Sequence, residues 1–308
     1  MKNFLFSLLA VATLIGCGKN DDNGSDSANL LVKKITEKDE DGNLKEVITL
    51  TYQGGRPVSF SEANYENGVQ TGTTVITNIS YEGNFVKRIK VENARRDNSE
   101  QNFTYKDGKV ATKTEKYERN NYTTTYQYSY AGNQLTNVLK SRPTTIYVNG
   151  DVQSGTYYEE RQFTYRGNTV IEVTTQYEKD LNGAVVTDTS YGTNTITYTL
   201  SGGNVVKEVE ENSYSNSVEE YTYDTKSNPL HYIANFVDPD PTNFLEVDNG
   251  KNNILTYKNT REHNGTKNET LSIFEYTYNA DGYPTVVKQY KEKGNGAREF
   301  RGTKEYEY

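Results

Sequence analysis

One short unit recurs along this chain and constrains its fold more than any other feature. It is an aromatic or aliphatic residue, then Thr or Ser, then Tyr, followed by a Gly/Asn turn and an outgoing strand that carries apolar residues. The copies are Leu50-Thr51-Tyr52, Ile79-Ser80-Tyr81, Phe103-Thr104-Tyr105, Tyr128-Ser129-Tyr130 and Phe163-Thr164-Tyr165, then Ile196-Thr197-Tyr198, Tyr221-Thr222-Tyr223 and Tyr276-Thr277-Tyr278. Leu255-Thr256-Tyr257 is degenerate, and Glu305-Tyr306-Glu307-Tyr308 closes the chain as a half-copy. The copies recur about every 28 residues, a period typical of arrays of supersecondary units.

Residues i and i+2 of a strand share a face, so both rings of Tyr221-Thr222-Tyr223 point one way and Thr222 the other. Thr and Tyr favour strands. Gly-Gly, Gly-Asn and Asp-Gly supply the positive φ that two-residue hairpin loops require. Each copy therefore reads as a hairpin, and the whole as about twenty antiparallel strands in up-and-down order. No window has a convincing 3.6-residue apolar period, so almost no helix is expected. A single hairpin cannot bury its own apolar face. The predicted fold class is all-β: a repetitive antiparallel meander forming a twisted, curved single sheet or half-closed shell, with a β-propeller as the alternative. Propeller blades take four strands and longer periods.

Composition fits that reading. Only 33% of the 308 residues are hydrophobic, and 27 residues are Tyr. Soluble domains usually hold about 45–50% apolar residues, so a thick helical core is excluded. A net charge of -8 argues against a nucleic-acid partner. A single Cys excludes an internal disulfide and a Cys-based zinc site.

The N-terminus has its own character. Met1 and Lys2 precede an almost wholly apolar run, Phe4–Gly16, too short to span a bilayer as a helix and of signal-peptide form. It ends in Leu14-Ile15-Gly16-Cys17, which resembles the lipobox of bacterial lipoproteins; the resemblance implies cleavage between Gly16 and Cys17 and acylation of Cys17, with palmitate among the chains. Residues 18–28 are polar and form a flexible tether. Lys19-Asn20-Asp21-Asp22 is similar to a surface-export signal of Bacteroidota lipoproteins, and Asp26-Ser27-Ala28 to an O-glycosylation triplet placing a glycan on Ser27. The expected organisation is a leader over 1–16, a lipidated tether over 17–28 and a repeat body over 29–308. The expected address is the outer membrane, at its cell-surface or periplasmic face.

The repeat carries a second resemblance. Tyr276-Thr277-Tyr278-Asn279-Ala280-Asp281-Gly282 is similar to the YD repeat of RHS-type proteins, and Tyr221-Thr222-Tyr223-Asp224 and Tyr105-Lys106-Asp107-Gly108 approach it. The likeness extends loosely over the body, and more closely to YD-like lipoproteins of Bacteroidota. It implies a curved β-shell and supplies no catalytic residues.

Candidate chemistry is sparse. His231, expected on a strand, and His263, expected in a loop, are not at metal-ligand spacing, and no metal or cofactor is expected. Residues 235–250 interrupt the repeat with Asp238, Asp240, Glu246 and Asp248 and no Lys or Arg. That stretch reads as a solvated insertion, or else as a cation- or partner-binding loop with oxygen ligands. Tyr122, Tyr126, Tyr128 and Tyr130 share one strand parity and either pack the core or form a stacking platform. The body is expected to be a monomeric binding or structural module contacting a glycan or envelope protein. The alternative is an envelope polysaccharide-processing enzyme using paired carboxylates.

Overall fold

A computed structural model of the chain describes residues 31–93, 98–148, 151–186, 192–212, 216–263, 265–293 and 296–308. The first half holds β1 (Lys34–Lys38), β2 (Leu44–Gln53), β3 (Arg56–Glu66), β4 (Val69–Glu82), β5 (Phe85–Glu92), β6 (Ser99–Lys106), β7 (Lys109–Tyr117), β8 (Thr123–Ala131) and β9 (Gln134–Val148). The second half holds β10 (Asp151–Arg166), β11 (Thr169–Asp180), β12 (Val185–Val186), β13 (Asn194–Ser201), β14 (Asn204–Glu211), β15 (Asn216–Ser227), α1 (Pro229–Val237), β16 (Asn252–His263), β17 (Thr266–Tyr278), β18 (Pro284–Glu292) and β19 (Arg298–Glu307).

Consecutive strands pair antiparallel, as the hairpin repeat requires. The tight turns follow the expected chemistry: at the β6–β7 turn Asp107 and Gly108 take φ of 52° and 75°, the pair of positive angles of a type I′ turn. The sheet does not stay open, however. β1 pairs with β19 from Lys34↔Glu307 to Lys38↔Thr303, while β11 pairs with both β13 and the two-residue β12. β12 therefore lies outside the ring, and the other strands close an 18-strand barrel. The expected open sheet, half-closed shell and propeller are all corrected by this closure.

The repeat contains the device that bends the sheet. In seven hairpins the register slips by one residue just before the last position of the motif, at Thr51/Tyr52, Ser80/Tyr81, Thr104/Tyr105, Ser129/Tyr130, Thr199/Leu200, Thr222/Tyr223 and Thr277/Tyr278. A bulge of this kind bends its strand and increases the local twist. Repeated at the same end of seven strand pairs, though not at β10–β11, it curls the meander towards closure. In the sixth unit Leu200, not Tyr198, occupies the Tyr position.

These Tyr side chains face inward and form a ring at that end. Six such hydroxyls donate to backbone carbonyls of the preceding segment: Tyr52 to Val32 (2.7 Å), Tyr81 to Pro57 (2.7 Å), Tyr105 to Val86 (2.8 Å), Tyr130 to Val110 (2.9 Å), Tyr223 to Val205 (2.6 Å) and Tyr308 to Pro284 (2.8 Å); in the unit that ends at Tyr278 that hydroxyl donates to the Asp224 carboxylate, and Tyr276 donates to Ile254 O (2.8 Å). A deeper ring contains Leu50, Phe60, Ile79, Ile89, Phe103, Val138 and Phe163, all buried. Each such side chain taken fully out of water is worth about 1.5–3 kcal/mol. Tyr126, Tyr128 and Tyr130 thus belong to the inner wall.

At the β15–β16 position of the Tyr-ringed end the chain inserts residues 228–251. They fold into α1 and two short 3-10 turns, Asn243–Leu245 and Val247–Asn249, and pack inside the barrel, where Ile233, Val237 and Leu245 join the core. This segment is the plug. It corrects two expectations. His231 lies in a helix, not a strand: the Asn228 side chain caps it by accepting from Leu230 N, and Pro229 opens its first turn. The stretch is also only partly solvated, since Asp238 and Asp240 are buried while Glu246 and Asp248 are exposed.

Candidate functional site: the barrel lumen

The two faces of the wall differ sharply. Outward positions carry Thr, Lys and Glu. Thr104 and Thr112 meet at 2.6 Å, as do Thr222 and Thr256. Ion pairs link neighbouring strands on the outside: Lys34–Glu307 (2.7 Å), Lys38–Glu305 (2.7 Å), Lys207–Glu220 (3.7 Å), Lys258–Glu269 (3.2 Å) and Arg298–Glu275 (2.9 Å). A membrane-spanning barrel has the opposite arrangement, an outward apolar band about 25 Å tall with a polar interior, and a cation at the bilayer midplane costs about 2–4 kcal/mol. The outer face of this barrel is built for water.

Inside, polarity changes along the axis. The Tyr-ringed end is apolar and plugged. Beyond the plug the inner wall becomes a network of carboxylates, each clasped by Tyr hydroxyls and amides. Glu115 accepts from Gln101 (3.1 Å), Tyr117 (3.0 Å) and Tyr126 (3.2 Å). Glu219 accepts from Tyr221 (2.5 Å), Tyr257 (3.0 Å) and Asn259 (2.6 Å), with the Tyr221 and Tyr257 rings stacked at 5.2 Å. Glu159 accepts from Tyr157 (3.3 Å) and pairs with Lys140 (3.4 Å), while the Arg142 guanidinium lies 4.8 Å from the Tyr157 ring centre. The spacing that builds these clasps is Glu-x-Tyr or Tyr-x-Glu on one strand, which places both groups on the same face.

Deeper in the wall, Arg161 grips Glu172 with two hydrogen bonds (2.6 and 3.0 Å), and Tyr198 donates to the same carboxylate at 3.4 Å. This fork geometry holds a buried carboxylate in one orientation. On β1, β2, β3 and β19, Lys304 pairs with Glu37 at 2.6 Å beside Glu46. Burial, together with the charges of Glu37 and Glu62, pushes the Glu46 carboxyl up to about 7.

The four acids singled out in the sequence do not converge. Asp240 binds Lys113 of β7 at 2.5 Å and accepts from Tyr128 at 2.8 Å, with Asp238 buried beside it. Glu246 faces Arg161 and Glu172, and Asp248 faces Lys304 and Glu37, across the lumen. Both are solvent-exposed although walls surround them, so the plug's inner surface lines a solvent-accessible lumen. Among the described residues no group of three His, Cys, Asp or Glu side chains is arranged to hold a metal ion. His231 sits with Nδ1 2.6 Å from the Asn249 carbonyl, holding the helix to the rest of the plug, and His263 ends β16. Gly16, Cys17 and Ser27 lie outside the described residues.

The carboxylate clasps were missed in the sequence. Their local signal, acid and Tyr two residues apart, was present at Glu115-Lys116-Tyr117, Tyr157-Tyr158-Glu159 and Glu219-Glu220-Tyr221, but most of their partners come from other strands.

No family model and no curated protein matches the chain. Among solved structures it is similar to a porin-like protein from Bacteroides vulgatus ATCC 8482, at 13% identity over 90% of this chain and 98% of that one, and to a porin-like protein from Bacteroides uniformis ATCC 8492, at 14% identity over 90% and 96%, both with a TM-score of 0.41. The likeness extends to overall build alone. The reading of the chain as a Bacteroidota lipoprotein with YD, RHS-like repeats, palmitate included, does not stand: the hairpins close into one ring through β1 and β19. The Tyr periodicity that suggested YD repeats is the barrel's own hairpin period.

Proposed function

We propose that this chain is a non-catalytic, plugged β-barrel of the cell envelope whose outer face meets water and whose lumen binds a polar ligand. The observation that carries the reading is the lumen beyond the plug, with exposed Glu246 and Asp248 at its floor and Tyr rings and carboxylates along its wall. Tyr offers an apolar face and a polar tip to one ligand, and the mouth of a β-barrel is a preferred ligand site. Carboxylates outnumber the cations of this lining, so an anionic ligand is disfavoured. A neutral or amine-bearing saccharide suits the wall. The apolar N-terminal run supports export to the envelope. Glycan-array binding followed by calorimetry on the full chain tests this. Saccharide binding that weakens at least tenfold in Tyr126→Ala or Tyr157→Ala supports the reading; no binding across neutral and amino sugars defeats it.

One observation favours a second reading, an envelope polysaccharide-processing enzyme. Glu46 keeps its proton close to neutrality beside Glu37 and Glu62, the kind of contrast a general acid needs. Reducing-sugar release from envelope polysaccharides that disappears in Glu46→Gln would establish it in place of the binding-only reading.

A further inference from the structure

Besides its apolar contacts, the plug meets the wall where one cation faces two of its carboxylates. Lys113 Nζ lies 2.5 Å from Asp240 Oδ2, and Asp240 also receives the Tyr128 hydroxyl at 2.8 Å, the Thr242 hydroxyl at 3.0 Å and the Thr242 amide at 3.1 Å. Asp240 is therefore fully satisfied as a carboxylate. Asp238 is 3% exposed and, among the described residues, its carboxylate accepts from the Asp240 amide at 3.0 Å. The charged and titratable groups facing it are Lys113 and Glu115 of β7, Tyr105 of β6, Tyr128 of β8 and Asp240 on its own segment. One ammonium cannot neutralise both aspartates.

The plug joins the wall at a narrow neck, where Asn228 N donates to Lys251 O at 2.9 Å and Asn228 Nδ2 donates to Asp248 O at 2.8 Å and Gly250 O at 2.9 Å. We propose that the plug is a proton-controlled stopper of the Tyr-ringed end, seated while Asp238 is protonated and released into a more open state once Asp238 ionises beside Asp240.

The linkage has a definite sign. Burial, with the charge of Asp240, pushes Asp238 up to about 7, whereas Lys113 and its hydrogen bond hold Asp240 below its ordinary value. The seated state binds a proton on Asp238 that the released state, near the ordinary value of about 4, gives up. Seating is therefore fully supported below about pH 4, is lost progressively as pH rises to about 7, and stays constant above that.

Hydrogen exchange on the full chain, corrected for intrinsic rates, tests this. Protection of amides in 229–250 is expected to fall at least ~tenfold between pH 5 and pH 7.5, since a shifted group can contribute up to a factor of ten per pH unit, while protection in β4–β5 changes little. In Asp238→Asn the fall should vanish. In Glu46→Gln, which removes a carboxyl of the wall that burial pushes up to about 7, it should persist. A plug whose corrected protection is independent of pH in the unsubstituted chain overturns the proposal without any variant. So does a fall shared by the whole barrel, one unchanged in Asp238→Asn, or one lost in Glu46→Gln.

Discussion

Tyr in this chain does a job that another aromatic would do only in part. In the ring at the plugged end the aromatic body fills the barrel, and the hydroxyl satisfies a carbonyl of the preceding segment. Tyr52→Phe and Tyr130→Phe should each cost about 1 kcal/mol, the net worth of one hydrogen bond. Because the two lie on strands that do not neighbour each other, the losses should add, as read by urea unfolding. Lys113 is more consequential. Lys113→Met leaves two buried aspartates without a cation and should cost about 3–5 kcal/mol, whereas adding Asp238→Asn and Asp240→Asn to it should recover much of that loss, because removing a whole buried ion pair is far milder than removing half of it. Thermal melting of the single and triple variants checks the ordering. These residue roles were only half legible. The i, i+2 parity of Phe103 and Tyr105 correctly put both rings on one face. The destination of the acids was misread, since residues 235–250 contain no Lys or Arg and their cations, Lys113, Arg161 and Lys304, lie on distant strands.

At the scale of elements, hairpin chemistry was readable and closure was not. Asp107-Gly108 and Gly54-Gly55 mark turns from sequence alone. The bulge that recurs near the motif's end leaves no residue signature, because Phe163-Thr164-Tyr165 pairs without one and a one-residue slip uses the same Thr and Tyr as regular pairing. The seam is less legible still: β1 carries no copy of the motif, and its partner β19 is the last strand of the chain. Gly302 shows what the seam demands. It takes φ of +139°, and a Cβ there would collide with the Lys38 carbonyl oxygen. Gly302→Ala should therefore cost about 2 kcal/mol or more through strain and overpacking, with exchange protection lost first in β1 and β19. The plug helix was missed, with His231 expected on a strand: Asn228-Pro229 offers a cap followed by a proline in the first turn, but the helix is too short to show an apolar period.

For the whole molecule, the decisive property is which side of the wall is apolar. A ring of 18 strands with a plugged interior resembles a membrane channel in outline, yet the chemistry is reversed: Leu50, Ile89, Phe103 and Phe163 point inward, while Lys258, Glu220, Thr104 and Thr256 point out. The low apolar content of the sequence follows from this arrangement. Each strand needs one apolar face of two or three residues, and the outer face is paid in Thr and charge. The most direct test is the accessibility of that outer face. Cysteines placed at Thr104, Thr256 and Lys258 should react with a water-soluble, membrane-impermeant maleimide equally fast in buffer and after incubation with lipid vesicles, once the reaction of the unsubstituted chain is subtracted. Protection of all three positions by the vesicles would mean that the wall faces lipid and would contradict the account.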